Sequence, residues 1–291
     1  MDVIDQAIHR VLIEKIGCSH VQNLTGSPHG VLNQCFIFET DKGKFFVKVN
    51  GKNDLAMYEA EANGLKSLKE THTLRVPVPH YWAAEGDHSF LIMEYIQLKH
   101  HTPSSQQTLG RLLAKMHLVK GPGKFGYEID NTIGTTPQIN TWNDNWVEFF
   151  LTNRLEFQLR LLERTVGDTE ILRKGEKFIE QYSAFFEGLE VVPSLLHGDL
   201  WSGNTAADEQ GEPVIYDPAV YYGHHEADFG ILLLFGGFSQ EFHEAYREII
   251  PMAPGFEERQ LGYQLYHYLN HYNLFGSSYR PSCMQILSRL T

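Results

Sequence analysis

The amino-acid sequence predicts an α+β protein of two lobes. A small N-terminal lobe combines an antiparallel sheet with a helix, and a larger C-terminal lobe is mainly α-helical. Two observations predict this: up to residue 96 short strand-like runs alternate with two helical patterns, and beyond it apolar residues recur mostly at helical spacing. The polar stretch 97–107 is typical of a linker. The predicted lobes are therefore residues 1–96 and 97–291.

The first N-terminal elements follow from apolar spacing and from turn residues. Apolar residues at helical spacing over 3–16 predict a helix that ends at Gly17. Two β-rich runs, 35–39 and 44–49, flank a short turn in which Gly43 can adopt a positive φ. These runs are therefore predicted to be adjacent antiparallel strands.

The remaining elements are one helix and one strand of the first lobe and the helices of the second. Residues 54–69 repeat apolar positions at helical spacing, with Asp54 available as a cap, and 90–95 reads FLIMEY, a buried strand. Two later segments of strand character, 195–204 and 213–221, mix polar with apolar residues and are where chemistry is expected. Helices are predicted around them at 109–119, 142–162, 170–186, 228–235, 240–249 and 256–274.

Length, composition and charge indicate an ordinary globular protein and exclude several classes. Of the 291 residues, 42% are hydrophobic and 21% charged, which is enough for a substantial core. Acidic residues outnumber basic ones by 36 to 24, and the net charge of -12 argues against binding to nucleic acid or an anionic membrane. No apolar run approaches the roughly 20 residues that span a bilayer. An anionic ligand must then be held by local groups.

Cysteine use and the first residues predict a cytoplasmic protein. Cys18, Cys35 and Cys283 are odd in number and far apart, which argues against a disulfide framework and for a reducing compartment. Residues 1–17 are amphipathic with acids in the first turn, unlike a basic and then apolar signal peptide. The sequence leaves the oligomeric state open and slightly favours a monomer.

Residues 197–204 read HGDLWSGN and match the kinase catalytic-loop pattern H-x-D-L-x-x-x-N. Phosphoryl transfer needs a carboxylate that accepts the proton of the attacking hydroxyl, together with oxygen ligands for Mg²⁺. Asp199 is the candidate base, and Asn204 offers Mg²⁺ an amide oxygen without a further negative charge. Asp217, at the end of the apolar run PVIYD, is the candidate second metal ligand. The sequence therefore predicts a kinase catalytic centre with a magnesium site.

The N-terminal lobe should supply the cation that meets the phosphates of ATP. Lys48 lies within the strand-like run FFVKV, similar to the V-A-I-K pattern whose lysine contacts the phosphates. A carboxylate of the following helix must fix its position. Glu61 is favoured because it lies on the helical run, and Glu59, on another face, is the fallback. The alternative is that Lys48 is an edge-strand lysine that aids solubility.

Two further segments are candidates for binding ATP. Residues 25–34 read TGSPHGVLNQ, in which Gly26 and Gly30 would let backbone amides approach the phosphates. This is not the G-x-G-x-x-G loop of protein kinases, so its detailed contacts are left open. The run MEYI ends the last strand of the lobe, and Glu94 and Ile96 are assigned to a hinge whose backbone pairs with adenine. The order of these parts is that of a bilobal kinase.

Beyond these motifs, the sequence resembles the fructosamine kinase (ketosamine kinase) family. That family is a branch of the aminoglycoside-phosphotransferase and choline-kinase-like group with the protein-kinase-like fold. The resemblance covers nearly the whole chain, and its most specific parts are the tryptophan after DL in HGDLWSGN and the run YDPAVYYGHHEADFG at 216–230. The other similar blocks are FFVKVN at 45–50, FGYEIDNTIGTTPQINTW at 125–142, LFGGF at 234–238 and LNHYNLFG at 269–276.

The resemblance implies an ATP-dependent phosphotransferase with an alcohol group as acceptor and with ATP and Mg²⁺ as cofactors. Its acceptors would be ketosamines, formed when sugars condense with amines, either as small molecules or on glycated protein lysines. Phosphorylation at the third sugar carbon would destabilise the adduct and initiate deglycation. Trp201, whose ring can stack on a sugar, and His271, which matches the family's LNH position, are assigned to the substrate. For both, packing in the interior is the alternative.

Four further features bear on regulation and support of the site. Gly198 stands where protein kinases have the arginine that pairs with a phosphorylated activation loop, and DPA at 217–219 replaces DFG without an APE sequence downstream. Activation-loop switching is therefore not expected. Asp228 is interpreted as a helix cap or as a strut for the catalytic loop. Cys35 is either an oxidation-sensitive residue near the phosphate loop or a small buried strand residue.

Other functions stay open for the same residues. The catalytic loop could be a turn rich in small polar residues, or the fold could bind ATP without activity. A metal hydrolase would use His267 and His271, four residues apart on one helix, although Tyr268 stands where a zincin has its glutamate. His224 and His225 could supply further nitrogen ligands. Within the kinases, the acceptor could be an aminoglycoside, a choline-like molecule or a simple sugar.

Overall fold

The structure, a computed structural model, describes residues 3–24 and 34–289. The helices of this part are α1 (Val3–Glu14), α2 (Leu55–Glu70), α3 (Pro103–His117), α4 (Trp146–Phe150), α5 (Phe157–Thr165), α6 (Thr169–Tyr182), α7 (Asp228–Phe235), α8 (Gln240–Arg247), α9 (Phe256–Phe275) and α10 (Arg280–Leu287). Its strands are β1 (Val21–Asn23), β2 (Gln34–Thr40), β3 (Gly43–Gly51), β4 (Pro79–Glu85), β5 (His88–Glu94), β6 (Asn131–Ile133), β7 (Thr136–Gln138), β8 (Ser194–Leu196), β9 (Thr205–Ala207), β10 (Pro213–Ile215) and β11 (Tyr221–Gly223). A sheet-bearing first lobe and a mainly helical second lobe confirm the predicted α+β fold.

The first five strands form one antiparallel sheet with the order β1-β2-β3-β5-β4. β2 and β3 are the predicted hairpin, with Cys35 opposite Lys48, and Gly43 has a φ of 110° in its turn. β5 lies between β3 and β4, and residues 89–93 are all buried. The predicted hairpin and the predicted buried strand are therefore confirmed.

Successive residues of β5 point to opposite faces of the sheet, and each face has its own cover. Phe90 and Ile92 pack on the side of α1, where Leu12 is fully buried. Leu91 and Met93 lie on the side of α2, in a core that continues into the C-terminal helices. The packing of α2 therefore links the sheet to the helical lobe.

The predicted linker at 97–107 is wrong from Pro103 onward, because α3 begins there. Thr102 and Ser105 form a capping box, in which each side-chain oxygen accepts a hydrogen bond from the other residue's backbone amide. The first turn of α3 is polar and carries no apolar periodicity, so the predicted start of the helix is too late.

Asp54 precedes α2 as predicted, but its side chain makes no capping hydrogen bond.

The helix predicted over 142–162 is interrupted. α4 and α5 flank a π-helical segment, Leu151–Glu156. Its Arg154 is fully buried and donates hydrogen bonds to the carbonyl oxygen of Ile139 and to Oδ1 of Asn140, each at 2.6 Å. Single π turns of this kind are frequent at functional sites. Here the π-helical segment contains Arg154, whose guanidinium is buried in the protein interior.

Three two-stranded ribbons lie among the helices of the second lobe. β6 pairs with β7, β8 with β11, and β9 with β10, all antiparallel. β10 falls within the second segment predicted to have strand character, 213–221, and β8 overlaps the start of the first, 195–204. In the described part of the chain, no helix is long and apolar enough to cross a membrane.

Helices α3 and α8 pack closely because α3 has a glycine at the contact. A Cβ atom at Gly110 would lie 2.2 Å from the carbonyl oxygen of Phe242. Gly110→Ala is therefore expected to lower the free energy of unfolding by about 1–3 kcal/mol, despite alanine's higher helix propensity. Denaturant unfolding measures this. Lys115→Ala, at an exposed position of the same helix, is the control, and equal stability of the two variants would contradict the close packing.

Candidate active site

One cavity of about 640 Å³ opens between the sheet and the helical lobe. It is lined by eight of the residues predicted for the site: Lys48, Glu61, Glu94, Ile96, Asp199, Trp201, Asn204 and Asp217. Of the other predicted residues, His271 does not line it, and Gly26 and Gly30 lie outside the described residues. The fold therefore brings side chains from both lobes into one cleft.

Lys48 lies on an inner strand, β3, and is paired with two carboxylates. Its Nζ is 2.7 Å from Oε1 of Glu61 and 2.7 Å from Oδ1 of Asp217, whereas Glu59 is exposed. Burial alone would lower the pKa of Lys48, but the charges of Asp217 and Glu61 outweigh it and raise the pKa. Lys48 is therefore a fixed ammonium in the cleft, and the edge-strand interpretation is wrong.

The loop between β8 and β9 carries Asp199 and Asn204. Asn204 is buried, and its Nδ2 donates hydrogen bonds to the backbone oxygen of Asp199 at 2.9 Å and to Oδ2 of the same residue at 3.0 Å. Burial and the charge of Asp217 raise the pKa of Asp199 well above its ordinary value, against the opposing effect of the Asn204 bond. A carboxylate with a raised pKa is a stronger base. Such a base is needed to accept the proton of the acceptor hydroxyl.

Asp228 holds the catalytic loop in place through its buried carboxylate. Its Oδ2 accepts a hydrogen bond from the backbone amide of His197 at 2.9 Å, and its Oδ1 accepts one from Gly198 at 2.8 Å. Nε2–H of His117 also donates to Oδ2, at 3.1 Å. Burial would raise the pKa of Asp228, but the bonds from His117 and Gly198 keep it below its ordinary value. Since Asp228 makes no capping bond, the geometry supports the strut interpretation.

Gly198 explains why this loop lacks the arginine of protein kinases. Its φ is 81°, and a Cβ atom there would lie 2.0 Å from the carbonyl oxygen of Ala219. Any side chain would therefore meet the backbone of the segment that follows Asp217. Close packing between the two catalytic segments excludes the arginine.

Asp217 enters the cleft from an unusual backbone conformation. Its φ of 57° lies in the left-handed region, which residues other than glycine rarely adopt. Its side chain is 47% exposed, and Oδ1 accepts the hydrogen bond from Lys48. Oδ2 accepts no hydrogen bond from any described residue. Strained conformations of this kind cluster at functional sites, where the surrounding structure maintains them.

The free oxygen atoms of this site fit Mg²⁺. Oδ1 of Asn204 accepts no hydrogen bond within residues 3–24 and 34–289, although the side chain is buried. Nδ2 of Asn204 is 3.5 Å from the backbone oxygen of Asp217, so the two candidate ligands are neighbours. Amide and carboxylate oxygens are hard donors, and Mg²⁺ typically takes one or two protein ligands of this type together with phosphate oxygens. Asn204 and Asp217 therefore fit the metal that the sequence predicts.

Glu94 and Ile96 lie at the end of the cleft where the chain passes between the lobes. Nη2 of Arg75 donates a hydrogen bond to Oε1 of Glu94 at 2.9 Å, so this carboxylate is engaged by protein. The backbone groups of Ile96 make no hydrogen bond to the described residues and are available to a base. Lys99 and Ala207 exchange two backbone hydrogen bonds, at 2.8 and 2.9 Å, which join the segment after Ile96 to β9.

Trp201 and His271 lie on either side of Phe235. The ring centroids of Trp201 and His271 are 5.8 and 5.2 Å from that of Phe235. Trp201 is 37% exposed and lines the cleft, so it is not an interior residue. His271 is half-buried, and its Nδ1–H donates to the carbonyl oxygen of His267 at 2.8 Å. A substrate role for Trp201 and His271 stays a prediction.

Cys35 is buried in the wall of the cleft, opposite Lys48 on the neighbouring strand. Burial, only partly offset by the charge of Lys48, raises the pKa of the thiol to about 11. The thiol is therefore protonated near neutral pH, when the thiolate is the reactive form. The structure favours the interpretation of Cys35 as a small buried strand residue.

His224 and His225, two of the histidines considered for a hydrolytic metal site, are hydrogen-bonded to tyrosine side chains. His224, His225 and Glu226 place possible ligand atoms within 4.8 Å of one another. However, Nδ1 of His224 is 2.8 Å from the hydroxyl of Tyr263, and both oxygens of Glu226 accept hydrogen bonds from Arg259, at 2.6 and 2.7 Å. Because Arg259 already neutralises Glu226, the geometry does not support the metal-hydrolase interpretation.

The β6–β7 hairpin, which lies in the family-like block 125–142, is a part of the cleft that was not predicted from the sequence. Asn131, Thr132, Gly134 and Thr135 of this hairpin line the cleft. Each strand has only three residues, too few for a recognisable alternation. The one local signal was Gly134, which takes a φ of 62° in the turn.

Comparison with known proteins gives a consistent result. The sequence model described as fructosamine kinase matches residues 4–291. The chain is 50% identical over 260 residues to a chloroplastic protein-ribulosamine 3-kinase of Oryza sativa subsp. indica, covering 89% of this chain and 75% of that protein. It is 39% identical over 307 residues to the ketosamine-3-kinase of Mus musculus, covering 97% and 99% of the two chains. A crystal structure from Haemophilus somnus, provisionally assigned as a fructosamine-3-kinase, has a TM-score of 0.84 at 28% identity and covers 97% of this chain and 96% of its own.

Proposed function

This chain belongs to the fructosamine kinase family, and on that premise we propose that it transfers the γ-phosphate of ATP to a sugar hydroxyl of a ketosamine. The observation that carries the proposal is the convergence of Lys48, Asp199, Asn204 and Asp217 in one cleft. An ammonium, a basic carboxylate and two oxygen ligands are the groups that phosphoryl transfer requires. The similar proteins named as ribulosamine and ketosamine kinases support the choice of acceptor.

Each of these residues of the cleft would have a separate role in the reaction. Lys48 would contact the phosphates, and Glu61 would keep its ammonium in position. Asp199 would orient the acceptor hydroxyl and accept its proton as the new bond to the γ-phosphorus forms and the bond to the β,γ-bridging oxygen breaks. Ile96 would pair with adenine through its backbone, whereas the contribution of Glu94 would be limited to its backbone because Arg75 holds its carboxylate.

Asn204 and Asp217 would hold Mg²⁺ beside these groups. When bound, the metal would neutralise negative charge on the phosphate oxygens. Asp217 already contacts Lys48 at 2.7 Å, so it can place the cation site next to the lysine that meets the phosphates. This local arrangement supports binding of ATP by a chain with a net charge of -12.

The acceptor class and the setting of the reaction extend the proposal. Phosphorylation at the third sugar carbon would release the sugar from a free or protein-bound ketosamine and so initiate deglycation. We also propose the cytoplasm as the setting, a reducing compartment in which buried thiols such as those of Cys18, Cys35 and Cys283 persist. We place the boundary between the ATP-binding lobe, residues 1–96, and the catalytic lobe, residues 97–291, near Gln97.

The proposal is tested by assaying ATP consumption with ribulosamines, fructosamines, a glycated carrier protein, free sugars and aminoglycosides as acceptors. Ketosamines are expected to be phosphorylated, and free sugars and aminoglycosides are expected to stay near background. The Asp199→Asn variant, purified in parallel, controls for contaminating kinases. Activity confined to aminoglycosides or to simple sugars would overturn the choice of acceptor while keeping the kinase.

A further inference from the structure

The β6–β7 hairpin lies beside α2 and the segment that follows Asp217. Its tip residues Thr132, Gly134 and Thr135 line the same cavity as the catalytic residues. The hairpin is bonded to the segment immediately after Asp217, and the hydroxyl of Tyr127, just before the hairpin, is 2.6 Å from Oγ of Ser67 on α2. The cavity that Ile96 and Lys48 line is therefore also lined by the hairpin tip.

A buried polar network fixes the base of the hairpin. Nδ2 of Asn131 donates a hydrogen bond to the carbonyl oxygen of Val220 at 2.8 Å. Nε2 of Gln138 donates to Oδ1 of Asn131 at 2.7 Å and to the carbonyl oxygen of Ala219 at 3.1 Å. Asn140 donates to the same Oδ1 at 3.1 Å. The hairpin is thus tied to the two residues that follow Asp217 and Pro218.

A second layer of buried side chains holds this network. Nη2 of Arg154 donates to Oδ1 of Asn140 at 2.6 Å, and the hydroxyl of Tyr266 donates to Oε1 of Gln138 at 2.7 Å. These four side chains are at most 3% exposed. Burying so many polar groups is costly unless they are paired, and paired networks specify one arrangement; Nε of Arg154 is a buried atom of this layer without a partner among the described residues. Here the arrangement that they specify is the position of the hairpin in the cleft.

Two threonines at the tip, Thr132 and Thr135, line the cavity and are not part of this network. Thr132 is half-buried and Thr135 is exposed, and neither hydroxyl makes a hydrogen bond to any described residue. Threonine is stiff at χ1, so hydroxyls on a fixed hairpin lose little entropy when they bind a ligand. A hydroxyl both donates and accepts, which matches the hydroxyls of a sugar.

We propose that the β6–β7 hairpin is the acceptor-recognition element, in which Thr132 and Thr135 hydrogen-bond the hydroxyls of the sugar chain of the substrate. Asp217 contacts Lys48, and the hairpin is bonded to the segment that follows Asp217, so with the phosphates at Lys48 the hairpin would border the phosphate end of the cleft. A polyol bound there has a hydroxyl within the same cavity as Asp199. The inference rests on the proposed function, because it takes the nucleotide and its direction from it.

Thr132→Val and Thr135→Val test the inference, since valine keeps the shape of threonine and removes the hydroxyl. Each is expected to raise the KM for a ribulosamine by about five- to tenfold, the effect of one lost hydrogen bond, and to leave the KM for ATP unchanged. Thr132→Ser should recover the KM of the unmodified protein. Thr165→Val, at an exposed position on α5 outside the cleft, is the matched control.

The results distinguish a failure of the hairpin's role from a failure of the proposed function. Unchanged acceptor KM in both valine variants, or a raised KM for ATP alone, overturns the role of the hairpin. Should Thr132→Val lower the melting temperature, the exposed Thr135→Val still gives the decisive KM. A chain that phosphorylates another hydroxylated acceptor but no ketosamine overturns the proposed function, and a raised KM for that acceptor in both variants then still supports the hairpin.

Discussion

Replacing Asp199 with asparagine is expected to lower kcat for ketosamine phosphorylation by about 10²- to 10⁴-fold, the usual contribution of a general base. Asparagine has nearly the same shape, and its Oδ1 can still accept the hydrogen bond that Asn204 makes to Asp199 at 3.0 Å. The change therefore removes a proton acceptor and leaves the loop in place. Initial rates at saturating ATP and acceptor measure the effect.

Binding of ATP provides the internal control for this variant. Calorimetry is expected to give nearly the same affinity for ATP in Asp199→Asn as in the unmodified protein, because Lys48 and the hinge are untouched. Asp144→Asn is a matched control, since Asp144 is 83% exposed and 3.4 Å from Lys124, away from the cleft. An Asp199→Asn variant that keeps more than about a tenth of the original kcat would contradict the assignment of Asp199 as the base.

The parts of the site that could be predicted are those encoded by local spacing. Asp199 and Asn204 lie in one loop, so a five-residue interval suffices to place them together. Glu61 could be chosen over Glu59 because positions 58, 61, 65 and 68 fall on one helical face, and three of these are apolar and buried. Helical periodicity thus predicted which carboxylate meets Lys48, with 2.7 Å between the charged atoms.

The parts that could not be predicted depend on contacts between distant segments. Gly198 is required by the backbone of Ala219, and nothing near Gly198 in the sequence indicates that contact. Asp217 precedes Pro218, which favours an extended backbone, yet its φ is 57°. Its conformation is set by the tertiary structure around the strand end.

The start of α3 and the β6–β7 hairpin were missed for a different reason. Their stability comes from polar groups, whereas apolar periodicity is the signal from which helices and strands are predicted in a sequence. α3 begins with a capping box between Thr102 and Ser105, and the hairpin is held by buried amides such as those of Asn131 and Gln138. A polar side chain in a sequence does not reveal whether its partner is water or another buried residue. Only the three-dimensional structure distinguishes these cases.

Lys48→Met is expected to affect activity and stability together. Removing a cation that faces the phosphates should lower kcat by about 10²- to 10³-fold and raise the KM for ATP. The same change leaves the carboxylate of Glu61, whose side chain is 11% exposed, without its partner at 2.7 Å. Loss of one member of a buried pair should lower the free energy of unfolding by about 3 kcal/mol, the low end of the usual range because the pair borders a cleft. Lys44→Met, on the same strand and 44% exposed, is the control.

The double variant Lys48→Met, Glu61→Gln separates the two effects, because glutamine removes the unpaired charge without restoring the cation. Stability measured by denaturant unfolding should recover most of the loss, since neutralising both members of a buried pair is close to neutral in free energy. Phosphorylation should stay as low as in Lys48→Met. If the double variant regained activity along with stability, Lys48 would matter for packing alone, and the phosphates would have to be met by another group of the cleft.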